Sequence, residues 1–233
     1  MKSRKTLAIW LVGLIVAAFA VNWIYQVVRK PAELLFPVSG ALAKTPAETW
    51  TQYGPLFRRY STAIISAELL AALAQVEGAG DPVARPPWRW RASADPREVY
   101  RPASSAVGMY QITDATFSEA KRYCIRDHAV LESCWFPGLY TRVLPSHAVE
   151  LTSAFLDRRV AALLARHRVA ASNEQKQNLA ALIHLCGASA GEAYVRRGFR
   201  LLDKQRCGEH DVRAYLARVN SMKRVFARLA SLG

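Results

Sequence analysis

The stretch Ala67-Glu68-Leu69-Leu70-Ala71-Ala72-Leu73-Ala74-Gln75-Val76-Glu77-Gly78 decides how this chain folds. With the residues before it, it predicts a helix over 61–77, because Ile65, Leu69, Leu70, Leu73 and Val76 recur at intervals of three and four. Gly78 and Gly80 then stop the helix. Glu77 extends the row Leu70, Leu73, Glu77, which sets a carboxylate on the apolar side of the last turn. Burial there disfavours the charged form, and the negative end of the helix dipole acts the same way. A carboxyl group that keeps its proton near neutral pH is what a general acid requires. Periodicity also allows a helix-end Glu that turns out to water.

Residues 78–107 contain Pro82, Pro86, Pro87, Pro96 and Pro102, which predict a long irregular loop. Trp88 and Trp90, on either side of Arg89, argue against plain disorder. Beyond the loop helices dominate. Thr113 can cap a helix to about Tyr123, and Leu156, Val160, Leu163 and Leu164 mark a second. Ser172-Asn173-Glu174-Gln175 is a capping box that opens a third, with Leu179, Leu182, Ile183 and Cys186 on one stripe. The last helix, 211–231, has a core face of Val212, Tyr215, Leu216, Val219, Met222, Phe226 and Leu229. Arg213, Arg224 and Arg228 lie opposite. There is no sustained strand alternation, internal repeat, low-complexity tract or Gly-rich phosphate loop, so the fold class is mainly α.

The N-terminus has a separate logic. Lys2, Arg4 and Lys5 precede an uncharged run from Leu7 to Val28, and Arg29 and Lys30 follow it. At ~1.5 Å per residue this run reaches about 33 Å as a helix, close to one hydrocarbon core. Trp23 and Tyr25 sit at its far end, where interface aromatics are favoured. A cleaved signal peptide ending at Ala18-Phe19-Ala20 is the rival, but apolar sequence continues past that site, which favours a retained anchor. The basic start directs the N-terminus inward. The expected order is a cytoplasmic tail (1–6), an anchor (7–28), a tether and lead-in interrupted by Pro31, Pro37, Pro46 and Pro55 (29–60), and one helical domain (61–233) across the membrane.

That compartment is oxidising. Cys124 lies near Cys134 and Cys186 near Cys207, so two local disulfides are the preferred pairing of three; four free buried thiols are the alternative. Neither pair has CxxC spacing, so no metal is expected. The 233 residues are 52% apolar, which allows a core and excludes general disorder. The net charge of +14, with Arg far outnumbering Lys, points to an anionic partner: nucleic acid, phospholipid or cell-wall carboxylates. Genome base composition is the bland source of the Arg bias. The outward topology and the lack of a binding motif speak against nucleic acid.

Gln75-Val76-Glu77-Gly78, then Asp81-Pro82, then Gly108-Met109-Tyr110-Gln111-Ile112, resemble in order and placement the motifs of the lytic transglycosylases related to goose-type lysozyme. Tyr215-Leu216-Ala217-Arg218-Val219 resembles that family's C-terminal Tyr-x-x-x-Val element. The likeness spans about residues 60–225 and implies a lysozyme-like helical domain that acts on peptidoglycan with no cofactor. It implies cleavage of the β-1,4 bond between N-acetylmuramic acid and N-acetylglucosamine, with Glu77 as the single acid and base and a 1,6-anhydromuramoyl product. Gly108, Met109, Tyr110 and Gln111 would line the cleft. Trp88 and Trp90 would stack on sugar faces, and Arg89 and Arg91 would meet peptide-stem carboxylates. Core packing is the bland role for Met109 and Ile112, and aromatic pinning of the loop is the bland role for the tryptophans.

Two departures stand out. Gly78 replaces the family's usual Ser, and Ile183-His184-Leu185-Cys186-Gly187 replaces Ala-Tyr-Asn-x-Gly, whose Tyr bonds the catalytic Glu. His184 falls nearest that Tyr, yet the helix wheel sets it off the apolar stripe and predicts a surface position. A hydrolytic lysozyme on the same fold would need a second acid, for which Asp81, Asp95, Glu98 and Asp114 are candidates. The anchor and basic outer domain resemble the specialised members that accompany conjugation and type IV secretion complexes, which makes such a complex an expected partner. A non-catalytic wall-binding subunit of such an assembly is a further alternative.

Overall fold

The structure, a computed structural model, describes residues 2–132, 134 and 137–232. The chain is mainly helical. An N-terminal helix, α1 (Lys2–Arg29), leads through 3-10 turns (Pro31–Val38) into α2 (Pro46–Arg59) and α3 (Ala67–Gly78). The long loop folds into a hairpin of β1 (Trp88–Trp90) and β2 (Tyr100–Pro102), in which Trp88 faces Pro102 and Trp90 faces Tyr100. After α4 (Asp114–Ala120) comes a second hairpin, β3 (Cys124–Arg126) with β4 (Ala129–Leu131). The chain finishes with α5 (Pro145–His167), α6 (Asn173–Cys186), α7 (Ala188–Arg196), a short hairpin of β5 (Arg206–Cys207) and β6 (His210–Asp211), and α8 (Val212–Ser231).

α3 is the central post. Leu69, Leu70, Ala71, Ala72, Leu73 and Ala74 are all fully buried, because α2, α5 and α8 cover it on several sides. Its alanines let α8 approach closely while the leucines fill the remaining space. Ser66 caps it by accepting from the Leu69 amide, so the helix begins later than residue 61. Residues 61–66 instead form a turn in which the Thr62 hydroxyl accepts from the amides of Ile64 and Ile65.

Residues 29–60, expected as a tether and lead-in, carry the 3-10 turns and α2. Pro46 occupies the first turn of α2, where no amide partner is needed, and Thr45 and Glu48 close a capping box around it. Pro55 lies inside α2 and does not break it. Tyr53 and Phe57 are buried in the common core, and Trp50 packs on Phe57 and Phe226. α2 therefore belongs to the folded body. The helix predicted to run to Tyr123 is the shorter α4, and α5 starts at Pro145, well before its apolar stripe. α7 and the hairpins were not expected, and strands of two or three residues are too short to show alternation. The cysteines pair as proximity suggested: Cys124 with Cys134 and Cys186 with Cys207 lie at disulfide distance, with Cα separations of 5.7 and 5.5 Å.

α1 is long and apolar enough over Lys5–Arg29 to cross a membrane. Its last turns nevertheless join the folded body. Asn22 Nδ2 donates to the Tyr100 carbonyl (2.7 Å), Gln26 Nε2 to the Arg97 carbonyl (2.6 Å), and Lys30 Nζ to the Ala106 carbonyl (2.9 Å). Arg29 pairs with Glu98. Glu33 is fully buried between Lys30 (3.0 Å) and Arg85 (2.9 Å) and also accepts from the Trp88 indole (2.8 Å). Burial pulls the Lys30 ammonium below the ordinary lysine range, and its bond to Glu33 opposes that shift. Removing the carboxylate would strand two cations inside the protein. Glu33→Leu is expected to lower the unfolding free energy by about 3 kcal/mol, read as a fall in Tm of the detergent-solubilised chain. An unchanged Tm would show that this buried cluster is not a structural joint.

Candidate active site

Glu77 stands in the last turn of α3, where the helix emerges from the core. Two features of the backbone set it there. Ala79 takes a left-handed conformation (φ 50°) and its amide donates back to Gln75, which ends the helix. Gln75 fixes the approach of α2: its amide donates to the Lys44 carbonyl (2.8 Å), and its oxygen accepts from the Thr49 hydroxyl (2.7 Å).

Gly78 lies flat against the turn that carries the second motif. A Cβ on Gly78 would stand 2.8 Å from Met109 Cα and 2.9 Å from the Met109 carbonyl oxygen. Glycine at this position is thus a steric requirement, and a serine would not fit without a shift of this turn. The turn itself is closed by paired backbone bonds between Val107 and Ile112. Gly108 adopts φ 80°, and a side chain there would collide with the Arg142 carbonyl. Gln111 also has positive φ, and its side-chain amide donates to the carbonyls of Gly108 (3.0 Å) and Ala84 (3.2 Å). Arg142 clamps the turn by donating to the Ser105 and Ile112 carbonyls, both at 2.9 Å. Nothing in the local sequence marked Arg142 for this role.

Two side chains meet at Glu77. The Tyr215 hydroxyl donates to Glu77 Oε1 at 2.5 Å. His184 Nε2 lies 3.8 Å from the same oxygen, outside hydrogen-bond range but close enough for electrostatic contact. Tyr215 comes from the first turns of α8, whose start is capped by Asp211 accepting from the Ala214 amide. Burial first, and then the negative charge of Glu77 and the bond to it, push the Tyr215 phenol well above its usual range. Tyr215 therefore remains a donor throughout the physiological pH range. His184 comes from the last turn of α6, and the Cys186–Cys207 pair ties that helix end to the hairpin that leads into α8. The expected surface position of His184 is thus corrected: its side chain is 11% exposed, because the off-stripe face of α6 is covered by the ends of neighbouring helices. The Glu77 side chain is 18% exposed, so it borders both the core and solvent.

Other expected site residues are placed elsewhere. Met109 and Tyr110 were expected to line the cleft, but both are fully buried in the core and face no cleft. The rings of Trp88 and Trp90 stand with α1: Trp88 bonds Glu33, and Trp90 packs on Tyr100 (4.6 Å) and edge-on to Phe19 (6.1 Å). Arg89 points the other way and forms a two-pronged pair with Glu209 at 3.0 and 3.3 Å. The four candidate second acids all have partners of their own. Asp81 accepts from the Gly40 and Val83 amides, and Asp95 pairs with Arg97. Glu98 pairs with Arg29 and Arg101, and Asp114 with Arg142. Glu77 lines none of five well-formed surface cavities among the described residues.

The chain matches no family model and no curated protein. The close contact at Gly78 yields a direct test. Gly78→Ser is expected to cost about 1–3 kcal/mol, seen as a lower denaturation midpoint, because a new Cβ must force α3 away from the 108–112 turn. An unshifted midpoint would contradict the contact.

Proposed function

We propose that the chain is a membrane-anchored peptidoglycan lytic transglycosylase, in which Glu77 is the only acid and base. The observation that carries the reading is the trio of Glu77, Tyr215 and His184, assembled from three helices far apart in sequence. Both neighbours address Oε1. Among the described residues Oε2 has no hydrogen-bond partner, which leaves it to carry a proton toward a ligand. Glu77 Oε2 would donate that proton to the glycosidic oxygen as the C1–O bond breaks. The acetamido oxygen of the muramoyl residue would bond to C1 in its place. Glu77, now a carboxylate, would take the proton of the 6-hydroxyl as that oxygen displaces the acetamido group and closes the 1,6-anhydro ring. Tyr215 donates to Oε1 in both states and so stabilises the carboxylate form in particular.

The route needs no second carboxylate, in keeping with the commitments of Asp81, Asp95, Glu98 and Asp114 described above. The net charge of +14 suits a polymer that carries peptide-stem carboxylates. In this reading α1 spans the cytoplasmic membrane with its N-terminus inside. The catalytic domain then lies in the periplasm, where cysteine pairs are maintained.

Purified sacculi incubated with the detergent-solubilised chain test the reading. Wild type is expected to release anhydromuropeptides. Glu77→Gln should lower the release by about 10²–10⁴-fold. Tyr215→Phe should lower kcat about tenfold or more through loss of one hydrogen bond to a charged group. Full activity of Glu77→Gln would refute the assignment, and sedimentation with sacculi without any release would mark a wall-binding subunit.

A further inference from the structure

The apolar surface where α1 meets the β1–β2 hairpin is not covered by protein. Trp23, 40% exposed, lines a cavity of about 410 Å³ with Phe19, Asn22, Arg85, Trp88 and Tyr100, and Trp90, 66% exposed, packs on two of those residues, Phe19 and Tyr100. This surface is continuous with the lipid-facing side of α1. Its level follows from helix geometry. From Lys5, the last inner cation, to Trp23 the helix rises about 27 Å, nearly the ~30 Å of a hydrocarbon core. Trp23 therefore falls at the outer boundary when Lys5 marks the inner one. The hairpin docks at that height, with Trp90 against Phe19, Tyr100 bonded to Asn22, and Arg97 bonded to Gln26.

The polar groups agree. Asn22 and Gln26, the two strongly polar side chains of the apolar run, spend their amide donors on hairpin carbonyls rather than leaving them to lipid. Arg29, Arg97 and Arg101 lie just above with Glu98 and Asp95, a mixed but net cationic collar at headgroup height. The exposed Arg89–Glu209 pair lies on the opposite side of β1 and limits how far the hairpin can sink.

We propose that the hairpin is a second membrane contact, in which Trp90 seats beside Trp23 at the headgroup–hydrocarbon boundary of the outer leaflet and phospholipid covers the face between them. The proposal rests on α1 spanning the membrane. Amphipathic rings favour that boundary. The loop that carries the hairpin leaves the fold after Gly78 and returns at Gly108, which lies beside the Gly78 contact. Seating the hairpin therefore holds Glu77 at one height above the bilayer and restricts cleavage to strands at that height.

Nitroxide labels placed on the full chain in phosphatidylcholine–phosphatidylglycerol nanodiscs test this, at Trp90→Cys, at Leu14→Cys in the middle of α1, and at Arg213→Cys on the exposed side of α8. The label at 90 is expected to show a severalfold higher ratio of oxygen to water-soluble nickel collisions than the label at 213. A ratio at 90 equal to that at 213, with the label at 14 lipid-buried, overturns the seat and leaves the anchor standing. Aqueous ratios at both 90 and 14 overturn both. A label-free readout guards against disturbed cysteine pairing. Brominated lipid should quench less of the total tryptophan emission in Trp90→Phe than in wild type, and an unchanged quenched share contradicts the seat.

Discussion

One hydrogen bond, from the Tyr215 hydroxyl to Glu77, joins the outgoing end of α3 to the incoming end of α8 across 138 residues of chain. It is possible because the α3–α8 seam packs the apolar α3, rich in small alanines, against the apolar face of α8. Burial and the neighbouring carboxylate keep the phenol protonated, so the bond does not titrate away where a cell would use it. The other parts of the site are arranged around it. His184 is delivered to the same oxygen by α6, and Cys186 and Cys207 hold that helix end to the hairpin preceding Tyr215. A carboxyl group fixed on one oxygen and open on the other is a simple device for moving a single proton out and back.

The backbone side of the site depends on a different constraint, the absence of side chains. Gly78 and Gly108 leave room for α3 to abut the 108–112 turn and for that turn to pass Arg142. Met109 and Tyr110 then anchor the turn from within the core. Glycine at position 78 is therefore part of this packing.

Much of this was legible in the sequence because it is local. The α3 stripe, the Thr113 and Ser172 caps, the core face of α8 and the placement of Glu77 each follow from spacing within a few turns. What was hidden depended on long-range partners. Pro46 and Pro55 masked α2, although Pro46 suits a helix start and Pro55 is tolerated inside a helix whose other face packs Tyr53 and Phe57. A helix wheel set His184 outside its own stripe, because a wheel cannot show which neighbouring helix ends will cover the other face. Trp88 and Trp90 read as sugar platforms when the loop is viewed alone. They face α1 because Glu33, far upstream, accepts the Trp88 indole and binds Arg85 beside it.

The central claim is that Glu77 works alone and that the muramoyl 6-hydroxyl, not water, attacks C1. Digestion of peptidoglycan in water enriched in oxygen-18 tests it most directly, because hydrolysis leaves one labelled oxygen on each new reducing end and ring closure leaves none. The account predicts released muropeptides that are free of the label at C1 and carry the mass of the 1,6-anhydro form. One oxygen-18 per new muramoyl end would contradict it, since water would then be the nucleophile.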